Sequence, residues 1–293
     1  MALSTAAEDT SAPWTRRPAG VLIDGLGFAE GLRWQANELY FSDIAAGRVV
    51  AVAGDGAARD VVEVPGRPSG LGFLPDGRLL VVSMAEKALF VWDGSELVRY
   101  ADLSHLVSAR LNDMVVAPTG DAYVTNFGYE ERPRRSTALV HVRPDRSAYL
   151  AEGELWRPNG CAITADGDTL VVAETRINRI SEFTLDEDGR PRGQRTFAEL
   201  PPGGWADGIC LDVDGGVWVA DPVGHRCMRV ERGGKVTDIV DTAPLGSITC
   251  SLGGPDGRRL FISVSELGDP EALLRRQCTV QYIDVERAGV GSP

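Results

Sequence analysis

One short phrase recurs six times along the chain, and it constrains the fold more than any other feature. The copies read Glu30-Gly31-Leu32, Ser69-Gly70-Leu71, Asn112-Asp113-Met114, Asn159-Gly160-Cys161, Asp207-Gly208-Ile209 and a divergent Ile248-Thr249-Cys250. Their second residues are separated by 39, 43, 47, 48 and 41 positions. Each copy leads into a short apolar stretch, a turn and further β-rich runs. In the second copy Leu79-Leu80-Val81-Val82 follows Asp76-Gly77, and Ala88-Leu89-Phe90-Val91-Trp92 precedes Asp93-Gly94. Periods of roughly 40 to 50 residues made of short strands mark propeller blades, whereas helical repeats would place apolar residues at 3.6-residue spacing. No segment sustains that spacing. The expectation is an all-β, six-bladed β-propeller, with four-stranded antiparallel blades around a central channel.

Residues 21–293 are expected to form this single domain, preceded by a loose leader over residues 1–20, which are small, polar and proline-containing. The leader has no basic start followed by an apolar core, so it does not resemble a signal peptide. A ring must join its first and last blades. Val21-Leu22-Ile23 and Thr279-Val280-Gln281-Tyr282-Ile283 are the β-like stretches placed to do so, shielding edges that would otherwise pair with other chains. The longest unpatterned insertion, residues 128–136, is a candidate rim loop.

Asn-Gly and Asp-Gly are also the commonest tight hairpin turns, so the phrase needs a second test. Seven residues beyond its second position a separate turn glycine stands in four copies: Gly77, Gly120, Gly167 and Gly215; Gly257 stands eight beyond Thr249. Those later glycines account for the first hairpin of each blade. The leading phrase is therefore free for another role. In a propeller the innermost strands line the channel, so one repeat position converges on the axis from every blade. Glu30, Ser69, Asn112, Asn159 and Asp207 would then face one small volume. Two carboxylates crowded there repel and raise each other's pKa, a conflict that a divalent cation removes. Carboxylate and amide oxygens suit a hard ion, so Ca²⁺ is expected first, with Mg²⁺ or Mn²⁺ next and Zn²⁺ disfavoured. Three or four protein oxygens leave positions for water or substrate.

Composition narrows the alternatives. A net charge of -12 supplies no cation excess to neutralise phosphates, so neither nucleic acid nor an anionic membrane is an expected partner. No apolar run approaches the length of a membrane span. A cytoplasmic protein with a small-molecule substrate and no obligate protein partner is expected. Cys161, Cys210, Cys227, Cys250 and Cys278 are odd in number and set among apolar residues, and are expected to be buried free thiols. His105, His141 and His225 fall at different phases of the repeat, which argues against a histidine-based triad and for surface or rim positions. No G-x-S-x-G, Walker, H-E-x-x-H or dinucleotide-binding pattern is present. Asp212 to Gly215 matches only part of a calcium loop and is assigned to a hairpin turn.

Taken in order, several stretches resemble the SMP-30/gluconolactonase family of six-bladed propeller hydrolases, which includes regucalcin-type lactonases. They are Glu30-Gly31-Leu32-Arg33-Trp34, Arg67-Pro68-Ser69-Gly70-Leu71-Gly72-Phe73-Leu74-Pro75-Asp76-Gly77, Asn112-Asp113-Met114-Val115-Val116 with Asn126-Phe127-Gly128, Arg157-Pro158-Asn159-Gly160, and Trp205-Ala206-Asp207-Gly208. The resemblance implies that Glu30, Asn159 and Asp207 bind the metal and that Asn112 contacts metal or substrate. It also implies that Arg110 and Glu130 bind substrate. The expected chemistry is lactone opening, with Asp207 as general base. The same site could serve a phosphoester or organophosphate, and a calcium-binding propeller without turnover is the alternative outside the enzymes.

Overall fold

The computed structural model describes residues 13–128, 136–267 and 276–291. These residues contain no helix and form six antiparallel sheets arranged as the blades of a β-propeller. The innermost strands are Ala29–Gln35, Pro68–Phe73, Leu111–Val116, Pro158–Ile163, Ile209–Leu211 and Gly246–Gly253, numbered here as blades one to six. In blades one to four the chain meanders outward through four consecutive strands. Blade six takes three strands from the C-terminal part, and its outer strand is Gly20–Leu26, paired antiparallel with Cys278–Asp284. The two expected closing stretches thus meet. Blade five departs from the four-stranded pattern. Trp14–Arg16, inside the stretch read as a loose leader, runs parallel to Asp238–Val240 and adds a fifth strand. Arg16 pairs with Asp238 at 3.3 Å and Arg17 with Asp241 at 2.8 Å, so side-chain charges hold this short strand in place.

The later glycines behave as turn residues. Gly77, Gly120, Gly167, Gly215 and Gly257 have φ between 73° and 89°, and each amide donates to a carbonyl three residues back. Blade one makes the equivalent turn without glycine, through Ala36 and Asn37 at φ 48° and 67°, as a two-residue hairpin of the mirror-image type requires. Asp212 caps its own turn by accepting from Asp214 and Gly216 amides at 3.0 Å, in accord with the turn assignment.

Among the described residues the apolar core is divided between blades. Six apolar clusters lie between neighbouring blades; Leu80, Val82 and Leu89 of blade two, for example, pack on Met114, Val116 and Val124 of blade three. Both faces of a blade are covered, so the second strand of blade two, Leu79–Ser83, is buried at every residue and reads as a continuous apolar run. All five cysteines are buried free thiols in these layers. His141 is the exception among the histidines: it is fully buried, whereas His105 and His225 are exposed. Asp121 Oδ1 lies 2.6 Å from its Nε2 and the Tyr149 hydroxyl 2.5 Å from its Nδ1, and this pairing is what lets an imidazole sit inside blade three. No helix among the described residues is long and apolar enough to cross a membrane.

Candidate active site

The phrase marks a bulge. In blades one, two, three, four and six the register between the innermost and second strands shifts at the phrase: between Glu30 and Arg33, Pro68 and Leu71, Leu111 and Met114, Pro158 and Cys161, and Ser247 and Thr249. A bulge re-aims a side chain and bends its strand. The glycine at the second position lets the next blade come close. A Cβ on Gly70 would stand 2.5 Å from the Met114 amide nitrogen, and one on Gly160 would stand 2.5 Å from that of Ile209. Hydroxyls on second strands then tie adjacent phrases together. Ser42 donates to the Ser69 carbonyl at 2.6 Å, Thr175 to that of Ala206 at 2.7 Å, and Ser263 to that of Ala29 at 2.7 Å.

This scaffold brings three of the phrase heads together: Glu30 lies close enough to Asp207 for their charges to repel, and Asn159 bonds Asp207. Glu30, Ser69, Asn112 and Asn159 are buried, and Asp207 is half-buried. The Asn159 side-chain amide donates to Asp207 Oδ1, and the Gly160 amide donates to the Asp207 carbonyl at 3.2 Å. Asp207 is held in turn by its own amide, which donates to Ala220 at 3.0 Å. Ile248, the head of the sixth phrase, is buried and contributes no polar group.

The electrostatics follow from the crowding. Burial pushes the Glu30 carboxyl well above the ordinary range, and the charges of Asp207 and then Asp113 push it further. Burial pushes Asp207 up to about 7, with Arg157 opposing the rise and Asp113 adding to it. Asn112 Nδ2 is buried without a hydrogen-bond partner. Two carboxylates whose ionisation is resisted, with the Asn159 amide on one of them, form a donor set that a hard cation fits, and Asn112 offers a buried amide with an unsatisfied end. Turning the Asn112 amide would direct its oxygen where its nitrogen now finds no acceptor. Among the described residues no three His, Cys, Asp or Glu side chains converge on one point.

Beneath this group lies a pair that sequence reasoning passed over. Arg33 is 1% exposed and its Nη2 bonds Asp113 Oδ1 at 3.1 Å, joining blade one to blade three. Asp113 also accepts from the Met114 amide at 2.8 Å, while Arg33 Nη1 donates to the Leu32 carbonyl at 2.8 Å. The signal was present: Asp113 occupies a phrase position where four other blades carry glycine. Arg110 is exposed, and its guanidinium carbon stacks 5.6 Å from the centre of the Phe127 ring. Arg157, also not singled out from the sequence, stacks on the same ring at 5.3 Å. Glu130 lies outside the described residues. Two hollows, about 500 Å³ beside Tyr40, Phe73 and Trp92 and about 330 Å³ beside Tyr149 and Arg190, include none of the phrase heads.

Comparison with known proteins agrees with the six-bladed fold. The chain is 26% identical to 6-deoxy-6-sulfogluconolactonase of Pseudomonas putida, over 79% of this chain and 81% of that protein. It is likewise 26% identical to L-arabinolactonase of Azospirillum brasilense, over 82% and 81% of the two chains. Its fold matches the crystal structure of a calcium-binding protein, regucalcin, from Agrobacterium tumefaciens with a TM-score of 0.82. That match is 22% identical and covers 96% of this chain and 99% of the other. The family profile described as SMP-30/Gluconolactonase/LRE-like region matches residues 28–266, and the chain belongs to that family.

Proposed function

We propose that the protein is a lactonase that uses a divalent cation, Ca²⁺ first, to open a small lactone at the axis of the ring. The observation that carries this reading is the pairing of two carboxylates, Glu30 and Asp207, whose charges repel, with the Asn159 amide bonded to Asp207; the buried, unsatisfied Asn112 amide supports it. Two relatives that span most of the chain are named as sugar lactonases, which supports the same reaction class.

Glu30 and Asp207 would hold the cation, with Asn159 and Asn112 completing the protein side. When bound, the cation supplies electrophilic polarisation of the lactone carbonyl. Asp207 is the half-buried carboxylate of the pair, so it is the one placed to take a proton from the attacking water. The ring oxygen then leaves with that proton as the C–O bond breaks. Asn159 fixes the Asp207 carboxylate through its hydrogen bond, and Glu30 would contribute charge and geometry. Arg110, held against Phe127, would bind a substrate oxygen.

The test is turnover of an aldonolactone, an aliphatic lactone, an aryl ester and an organophosphate, before and after chelation and with Ca²⁺, Mg²⁺, Mn²⁺ or Zn²⁺ restored. The expected result is lactone hydrolysis lost to chelator and recovered with Ca²⁺, and an Asp207→Asn variant slower by about 10²- to 10⁴-fold. Full activity in that variant would overturn the role of Asp207. Organophosphate turnover without lactone turnover would overturn the substrate class, and tight cation binding without turnover would overturn the enzyme reading.

A further inference from the structure

Positive charge is concentrated on one half of the channel mouth. In three consecutive blades the residue two positions before the phrase head is an arginine: Arg67, Arg110 and Arg157. The other three blades carry Trp205, Gly246 and Phe28 at that position. All three arginines are exposed, in a chain whose 42 acidic residues outnumber its 30 lysines and arginines. The cluster therefore runs against the overall composition.

Two of the three also hold an uncommon backbone. Arg67 and Arg157 have φ of 70° and 55°, the left-handed region that residues other than glycine seldom adopt, and each immediately precedes a proline. The strain recurs at the same point of blades two and four. It is held in place there by the Met84 amide donating to the Arg67 carbonyl at 3.0 Å and by the Thr175 amide donating to that of Arg157 at 3.2 Å. Half-buried Phe127 then positions two guanidinium groups against one ring. A guanidinium presents a fork of N–H donors that grips a planar oxyanion through two parallel bonds. Arg157 forms no salt bridge among the described residues, and its charge reaches Asp207 in the channel.

Building on the lactonase reading, we propose that this arc is a specificity subsite, with Arg157 its principal contact, that selects lactones carrying an anionic substituent such as a carboxylate. The reaction at the ring carbonyl is unchanged. The substituent pairs with Arg157 at the rim while the lactone ring lies over the carboxylate and amide group.

The test compares D-glucarolactone, which carries a free carboxylate, with neutral D-gluconolactone of the same ring size, in wild type, Arg157→Gln and Arg157→Lys. Wild type is expected to favour the anionic lactone in kcat/KM by at least about tenfold at low salt, with the preference shrinking as salt screens the exposed charges. Arg157→Gln should lower the ratio of anionic to neutral kcat/KM by about 10- to 100-fold, chiefly through KM. Arg157→Lys should recover the salt dependence but only part of the preference, because the fork is lost. A wild-type preference for the neutral lactone, or an equal loss on both lactones in Arg157→Gln, would overturn the subsite. Calorimetric binding of methyl glucuronide against methyl glucoside separates this from the reaction itself. Glucuronide binding that depends on Arg157, without hydrolysis of either lactone, would sink the lactonase reading and leave the subsite standing. Hydrolysis of both lactones alike, with no preference for the glucuronide, would do the reverse.

Discussion

Replacing Asp207 by asparagine should stabilise the cation-free protein. An unhindered aspartate loses its proton near 3.8, whereas Asp207 is pushed up to about 7, mainly by burial. A tenfold displacement in proton affinity corresponds to about 1.4 kcal/mol, so keeping Asp207 ionised above pH 7 costs the folded chain roughly 4 kcal/mol. The folded carboxyl binds its proton more tightly than the unfolded one. The cost is therefore absent below about pH 4, grows as pH rises and is complete above pH 7. Asparagine keeps the shape, still accepts from Asn159 and carries no charge. In chelator at pH 8 the variant should melt higher by about 5 to 10 °C, an upper estimate for a chain of this size. At pH 5 the advantage should shrink to about 2 kcal/mol. With Ca²⁺ at a hundredfold excess over Kd the gap should narrow to roughly 1 kcal/mol, since wild type gains about 2.7 kcal/mol and the variant loses a ligand, and at a thousandfold excess the two should draw level. Thermal unfolding followed by circular dichroism, with and without cation at the two pH values, measures all of this. If the variant is no more stable than wild type in chelator at pH 8, or if its advantage is the same at both pH values, then the crowding of charge at the axis has been misjudged.

Two further outcomes rest on packing. His141→Phe strips Asp121 and Tyr149 of their buried partner and should cost about 2 to 4 kcal/mol in urea titration, while cation affinity at the axis is unaffected. Burial holds the His141 pKa below its ordinary value, so the unfolded chain takes up this proton first and wild-type stability falls as pH drops below about 6.5; the variant should lose that part of the acid slope. Gly160→Ala places a methyl group 2.5 Å from the Ile209 nitrogen and 2.8 Å from the Asp207 carbonyl oxygen. It should cost about 1 to 3 kcal/mol and weaken cation binding measured by calorimetry, because Asn159 and Asp207 separate when the blades are forced apart.

The repeat was legible because five of the six blades place a glycine at the same turn and four place one in the phrase. The turn glycines mark hairpins, the phrase glycines mark contact between bulges, and the heads of the phrases remain as the variable set. What was not legible depends on neighbours remote in sequence or too brief to show a period. The burial of His141 depends on Asp121, which lies in a turn on the adjacent strand, so its repeat phase alone misplaced it. Trp14–Arg16 adds three parallel residues, too few for any alternation to show. Arg157 precedes a proline, where an extended backbone is the usual expectation, and its left-handed turn appears only in the folded chain. The Arg33–Asp113 pair spans 80 residues and exists only because the ring brings blades one and three together.

The closing strand sets the order in which this molecule can become competent. Gly20–Leu26 is made well before its partner Cys278–Asp284, with blades one to four and the four later strands of blade five between them. Until then the early strand has no hydrogen-bonded neighbour, and blade one, which carries Glu30, lacks the Ser263 hydroxyl that holds the Ala29 carbonyl. Closing a loop of this length is slow compared with forming local hairpins, so blades should form before the ring does. Cation affinity would then arrive late and all at once, when the two ends of the ring meet. A partly made chain would have most of the blades and almost none of the site.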